Sequence, residues 1–206
     1  SLREKGCYVN LSKQNMRGVT LIELMVTLAI LAIILTMAIP SFNEFRQRSA
    51  LRGASDQFIS FWANSRMEAL KNNSLVKVSM STSGNNFCLG AATTTNPADN
   101  TKCDCFTANA CNVGSYPADQ AEWKRIRYIG DYVQAPTAGS QVVVIIDPKR
   151  GGLANTDMAG YWQIASPTGG VDYRLRVNVD LFGRAVACEP ASSPSKMPQF
   201  SGRRCN

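Results

Sequence analysis

The chain holds 206 residues, 45% hydrophobic and 18% charged, which is apolar mass enough for one or two domains and rules out a disordered tail, a collagen-like repeat or a minimal disulfide knot. Histidine is absent, so Ser-His-Asp and Cys-His catalysis, His-ligated zinc and His-based pH switching are excluded. The net charge is +7, of which the first 18 residues supply +3 (Arg3, Lys5, Lys13 and Arg17 against Glu4) and the rest +4, a mild excess that suits a membrane surface or nucleic acid without demanding either.

From Val19 to Pro40 the chain reads VTLIELMVTLAILAIILTMAIP, with Glu23 as its one charged residue. As a helix this run rises about 33 Å, close to the thickness of a bilayer core. A secretory signal peptide has a shorter apolar centre, about 7–15 residues, and ends in a small-residue cleavage site. The run therefore reads as a retained transmembrane helix over 19–40. The four Lys/Arg before it hold that end in the cytoplasm and put the remainder outside the inner membrane, in the periplasm. Six of the seven cysteines (Cys88, Cys103, Cys105, Cys111, Cys188 and Cys205, but not Cys7) lie beyond the run, as disulfides formed in an oxidising compartment would. Glu23 is the oddity, because a carboxylate in a bilayer helix costs roughly 2.5–3.5 kcal/mol. Either it sits near the headgroups, favoured by the helix macrodipole, or another subunit supplies a positive partner.

These residues resemble a known family. Arg17-Gly18-Val19-Thr20-Leu21-Ile22-Glu23-Leu24 followed by the apolar run is similar to the class III signal of type IV prepilins and pseudopilins. The resemblance implies a leader over 1–18, cut between Gly18 and Val19 by a prepilin peptidase that methylates the new N-terminus. It makes Glu23 the fifth mature residue, where the family's glutamate neutralises the amino terminus of a neighbouring subunit. The family usually has phenylalanine where this chain has Val19. Met16 is an alternative start, which would shorten the leader to Met-Arg-Gly.

Beyond Pro40, which kinks a helix, the spacing stays helical. Phe42, Phe45, Leu51, Ala54, Phe58, Trp62, Ser65 and Ala69 fall on one stripe, and Asn72-Asn73 is the expected stop. The whole helix then runs about 80 Å at 1.5 Å per residue. Strands follow: Val76, Val78 and Met80 alternate with Lys77 and Ser79; 141–147 is a β-branched run; Tyr173 to Val179 alternates apolar and polar. Shorter candidates are 125–132, 161–165 and 183–188. A polar Cys-rich loop is expected over 83–121. The expected fold class is α+β, a long N-terminal helix packed on an antiparallel β-sheet, with 41–206 forming a periplasmic globular domain. That order is the type IV pilin-like architecture. Residues 61–71, 147–151 and 182–184 also resemble segments of H-type minor pseudopilins and FimT-type minor pilins.

Cys103-x-Cys105 with Cys88 and Cys111 lacks the paired C-x-x-C spacing of zinc ribbons, so disulfides are favoured over a metal site. Cys103 and Cys105 are too close to pair with each other, leaving Cys88, Cys111 or a distant partner for each. Cys188 and Cys205 form the simplest remaining pair. Among the basic clusters, Trp123-Lys124-Arg125-Ile126-Arg127-Tyr128 interleaves cations with aromatics, as single-strand binders do. FimT-type pilins are linked to DNA through a Gly-Arg-x-Arg motif. Here Gly183-Arg184-Ala185-Val186 lacks the second arginine, and Arg203-Arg204 is not the same motif. DNA binding is thus possible through Arg184, Arg203 and Arg204 but not favoured over solvated strand faces. Scattered aspartates and isolated Gly pairs give no enzyme signal, and no cofactor is expected. The expected role is a minor pilin or pseudopilin that primes or tips a type IV pilus, with other pilin subunits, the prepilin peptidase and the inner-membrane assembly platform as partners. The alternatives are an H-type minor pseudopilin of a type II secretion system and a DNA-binding minor pilin for natural transformation.

Overall fold

A computed structural model of the protein describes residues 18–84, 86–117, 126–129, 133–134, 143–167, 171–200, 203 and 205. The chain divides into two compact units, Ser1–Ser41 and Phe42–Asn206. One helix, α1 (Leu21–Asn72), supplies the described part of the first unit beyond residue 20 and the opening of the second. Pro40 lies within it.

In the first unit no glycine or proline interrupts residues 19–39. The hydroxyls of Thr27 and Thr36 donate back to the Leu24 and Ile33 carbonyls at 2.9 and 2.7 Å, so the helix keeps its side-chain donors to itself. In this single chain every described side chain from Leu21 to Thr36 is exposed. No single helix among the described residues is long and apolar enough to cross a membrane, although the stretches Leu21–Thr36 and Ser41–Asn72 pass that test together.

In the second unit α1 buries Leu51, Ala54, Ser55, Phe58, Trp62, Ser65 and Ala69, spaced to share one face. The two buried serines bond the Arg52 and Phe61 carbonyls within the helix, which makes them neutral to pack. Phe42 and Phe45, expected on this stripe, are exposed. Burial starts only at Leu51, where the sheets begin to cover the helix. The helix ends by a left-handed cap: Asn73 has φ 46°, its N–H donates to Leu70 O, and the Ser74 N–H reaches back to Ala69 O.

Two antiparallel sheets replace the one sheet expected from the sequence. The first has the order β3(Gly114–Tyr116), β2(Asn86–Thr94), β1(Leu75–Ser83), β6(Val143–Ile146). The second runs β4(Arg127–Tyr128), β7(Gly160–Ala165), β8(Arg174–Val179), β9(Ala185–Cys188), with β5(Val133–Gln134) also on β7. Residues 141 and 142 of the β-branched run lie outside the described residues. The nine-residue strand β2 corrects the loop expected over 83–121. Its sequence, NFCLGAATT, does not alternate, because Phe87 through Ala92 are buried on both faces. One face meets the core and the other meets the cysteine loops. A Cβ at Gly90 would collide with the sulfurs of both Cys103 and Cys111, so only glycine lets the loop lie this close.

The disulfides are Cys88–Cys105, Cys103–Cys111 and Cys188–Cys205. With all four clustered sulfurs oxidised, no thiolate remains there for a metal. The outward residues of β1 dock the same loop. Ser79 Oγ accepts from Cys103 N at 3.1 Å and Ser81 Oγ donates to Cys103 O at 3.2 Å. Lys77 Nζ donates to Asp99 at 2.9 Å and Thr101 at 2.8 Å. Asp99 also accepts from the Thr94 hydroxyl and from both the N–H and the hydroxyl of Thr101. These donors, Thr101 and Lys77 foremost, hold the Asp99 carboxyl far below the usual carboxylate range.

α1 is joined to both sheets through aromatic rings. The Phe58 ring lies 5.0 Å and the Trp62 ring 5.9 Å from Trp162 of β7, and Tyr116 of β3 donates to Ala54 O at 3.3 Å. Trp62 Nε1 donates to Gly183 O at 2.8 Å, and Arg66 Nε donates to Gly151 O at 2.6 Å. Gly183 itself has φ 70°, and a Cβ there would strike the Gly151 carbonyl oxygen.

Two outcomes test this account. Trp62→Ala removes a fully buried ring and orphans the Gly183 carbonyl, and we expect a loss of about 3–5 kcal/mol in denaturant unfolding; a loss under about 1 kcal/mol would refute the central role given to this ring. Asp99→Asn should cost about 1–3 kcal/mol at pH 7. Because the folded carboxyl's pKa is depressed, its contribution is present above the unfolded value of about 3.9 and is lost as pH falls from there through the folded value. The gap between wild type and Asp99→Asn should therefore stay constant from pH 7 to about 4 and narrow below that. A gap that does not narrow would exclude an ionised Asp99 as its source.

Candidate functional site

The N-terminal end of α1 carries the first cluster of sequence-marked residues. Gly18, Val19 and Thr20 precede the helix and are exposed, Val19 at 69%. Thr20 is the N-cap: its hydroxyl accepts from Glu23 N at 3.3 Å, and its carbonyl accepts from Leu24 N at 3.2 Å. Thr20-Leu21-Ile22-Glu23 thus has the spacing of a capping box. This role was not drawn from the sequence, although Thr-x-x-Glu before an apolar run is its usual signal. The cap puts Glu23 in the first turn, where the helix dipole favours an acid. Its carboxylate has no partner among the described residues.

Around Glu23 the helix shows no polar face. Ile22, Leu24, Met25, Ile30 and Ile34 are each more than half exposed, and at 3.6 residues per turn they fall on all sides of the axis. Such a cylinder is unstable in water, so lipid or other apolar helices must cover it. The structure keeps Gly18, Val19, Glu23 and Pro40 on one continuous stretch. Residues 1–17, the part of the expected leader that holds Cys7, lie outside the described residues.

The second cluster comprises the cations of the globular unit, and most of them are engaged. Asp172 takes Arg174 at 2.7 Å and Arg127 at 3.3 Å. The Arg174 hydrogen bond, helped by both positive charges, lowers the Asp172 carboxyl below its ordinary range. Arg184 pairs with Asp180 at 3.0 Å, and Lys77 with Asp99. Arg176 lies 4.1 Å over the Tyr161 ring and donates to Gln163, while Arg48 faces the Tyr173 ring at 5.7 Å. A phosphate would have to displace an aspartate at Arg174 or Arg184. Arg184 opens β9, whereas the Arg203 carbonyl accepts from Glu189 N just past its other end. At about 3.4 Å per residue the two are separated by most of the strand's length, so they do not form a single phosphate cradle. Arg204 and the 123–125 part of the aromatic-basic run lie outside the described residues.

Residues 13–39 match the family model described as the prokaryotic N-terminal methylation motif. The match spans Gly18, Val19 and Glu23, and supports a type IV pilin-like or pseudopilin subunit. It implies processing by a prepilin peptidase and assembly with other pilin subunits. No curated protein and no solved structure matches the chain.

Proposed function

We propose that this chain is a minor pilin, a priming or tip subunit of a type IV pilus, with a structural rather than a catalytic role. The precursor inserts in the inner membrane through the helix over 19–40, with the basic leader in the cytoplasm and the globular unit in the periplasm. A prepilin peptidase cuts between Gly18 and Val19, and the assembly platform extracts the mature chain into the filament.

The observation that carries this reading is the methylation motif over 13–39, set on a helix whose apolar side chains are exposed all round and whose one acid lacks a partner. The surface that suits lipid also suits the packed helices of a filament core, so extraction exchanges one apolar environment for another. Thr20 serves both states, because it remains as the second residue once Val19 is the first. Glu23 gains a partner only when a neighbouring subunit brings its free amino terminus, and pairing a charge that is otherwise costly enforces register. The disulfides favour an oxidising compartment for the globular unit. The paired state of Arg174 and Arg184 weighs against a DNA-binding minor pilin, whose phosphate contacts need free cations.

Intact mass and N-terminal sequencing of the membrane-extracted protein should show a chain that starts at N-methylated Val19. A start elsewhere would remove the processing reading. Glu23→Ala should insert and be cleaved like wild type yet be absent from sheared filaments, and wild-type incorporation would refute the pairing role. Loss of surface pili in a deletion strain, restored by the intact gene, would favour the pilus; normal pili would favour the secretion pseudopilus.

A further inference from the structure

The first turn of α1 in the globular unit differs from the rest of its outer face. Phe42 and Phe45 are 60% and 57% exposed, far more than side chains at the rim of a core. At 3.6 residues per turn Phe42, Phe45 and Arg46 share one side of the helix, within an arc of about 100°. Arg46 is exposed and has no partner among the described residues. The other side of this turn meets the unit's own chain: the Tyr173 hydroxyl donates to Glu44 at 3.4 Å, and Arg48 faces the Tyr173 ring. The turn's one acid is thus held toward the sheet, and its outward side presents two rings and a lone cation.

Farther along, the same side of α1 carries Ser49, Gly53, Asp56 and Ser60, all exposed and none with an apolar side chain. A face that packed along a neighbouring helix would keep large apolar residues over several turns; here they stop after one. The cover that suits this turn is therefore shallow, apolar on one side and anionic on the other. Chain length says where it is met. Phe42 lies two residues beyond Pro40, the end of the apolar run, so its Cα is within about 7 Å of that end whatever course the chain takes. With residues 19–40 spanning the bilayer, as proposed above, this turn falls in the outer headgroup layer. Aromatic rings settle there at the acyl boundary, and basic side chains reach phosphate.

We propose that Phe42, Phe45 and Arg46 form an interfacial anchor by which the globular unit docks on the outer leaflet of the inner membrane, the rings at the headgroup–acyl boundary and the guanidinium on the phosphate of an anionic phospholipid. The proposal rests on insertion through 19–40 and adds to it a lipid contact made by the globular unit itself. The apolar run cannot set its own depth, because its surface is uniform and a shift along the bilayer normal exchanges like for like. Depth and rotation are set instead by amphipathic residues at the interface, and this turn supplies them. Extraction into a filament then has to release two rings and one cation from the leaflet before the subunit can move.

The test uses the full-length chain reconstituted in vesicles of phosphatidylethanolamine and phosphatidylglycerol, with the photocrosslinker p-benzoylphenylalanine replacing Ile33, Phe42, Phe45 or Ser60 in turn. Intact mass spectrometry after irradiation reads the adducts. Ile33, within the apolar run, reports insertion; Ser60 lies on the anchor's own side of α1, about 27 Å beyond Phe42. Phospholipid adducts are expected at Ile33, Phe42 and Phe45 and none at Ser60. Arg46→Glu should cut the adduct yield at Phe45 about fivefold in these vesicles, and by less than about twofold in phosphatidylcholine, as the attraction of one cation to an anionic surface requires. All the globular-unit positions altered are exposed, and circular dichroism would verify the fold. Lipid adducts at Ile33 with none at Phe42 and Phe45, protein adducts at those rings, equal yields at Phe45 and Ser60, or indifference to Arg46→Glu would overturn the anchor and leave insertion standing. No lipid adduct at Ile33 would strike insertion itself, and the anchor with it.

Discussion

The globular unit depends on one stripe of α1, from Leu51 to Ala69, and within it on Trp62. Its ring packs on Trp162 of the second sheet while its indole N–H donates to the Gly183 carbonyl in the β8–β9 turn. Phe58, one turn earlier, reaches Trp162 as well, and Ala54 accepts from Tyr116 of the first sheet. Among the described residues neither sheet has another continuous apolar partner of this length, so the helix supplies the common core surface. The turn that receives Trp62 also needs Gly183, since any side chain there would strike the Gly151 carbonyl. Arg66 then ties Gly151 and Phe182 to the helix through their carbonyls. Packing, turn conformation and hydrogen bonding at this corner are therefore one constraint, and it also positions the start of β9.

The same helix lives under two regimes. From Leu51 onward its apolar residues face a core made by its own chain, and charged residues fill the outer face. From Leu21 to Thr36 every direction is apolar, and no part of the chain's described residues covers it. A helix patterned for a single buried face would be soluble alone, whereas one apolar all round requires an apolar solvent or like helices. Thr27 and Thr36 fit that requirement because their hydroxyls already bond the helix and ask nothing of the surroundings. Glu23 does not fit it, and that misfit makes it the informative residue of the first unit.

Much of this was legible in the sequence where periodicity is local. The end of α1 at Asn72, the alternation of Val76, Val78 and Met80, and the strand beginning near Tyr173 all follow from spacing. β2 was not legible, since its residues are buried on both sides and the second cover is a loop whose placement depends on Cys103 and Cys111. The exposure of Phe42 and Phe45 was missed because a helical stripe shows which face is apolar but not how far the covering sheets extend. The division into two sheets depends on strand partners far apart in the chain, such as β1 with β6. The fates of the arginines were hidden for the same reason, Arg127 and Asp172 being 45 residues apart. Thr20 could have been read, because a threonine three residues before a glutamate at a helix start has a direct mechanical meaning.

Charge gives the last step. In the proposed processing, the cut after Gly18 removes Arg3, Glu4, Lys5, Lys13 and Arg17, taking +3 of the formal +7 with it. In the globular unit Asp99, Asp172 and Asp180 hold Lys77, Arg127, Arg174 and Arg184. What the cut creates is a single ammonium at Val19, placed at the positive end of the helix dipole where a cation is disfavoured. In the proposed filament the Glu23 of a neighbouring subunit offsets it, and the apolar helices around both exclude the water that would otherwise screen them. An attraction between these two groups is therefore weak while the end lies among hydrated headgroups and strong once apolar helices close around it. That dependence makes the pair a report on whether a subunit is fully seated, which the apolar contacts, being uniform around the helix, cannot provide.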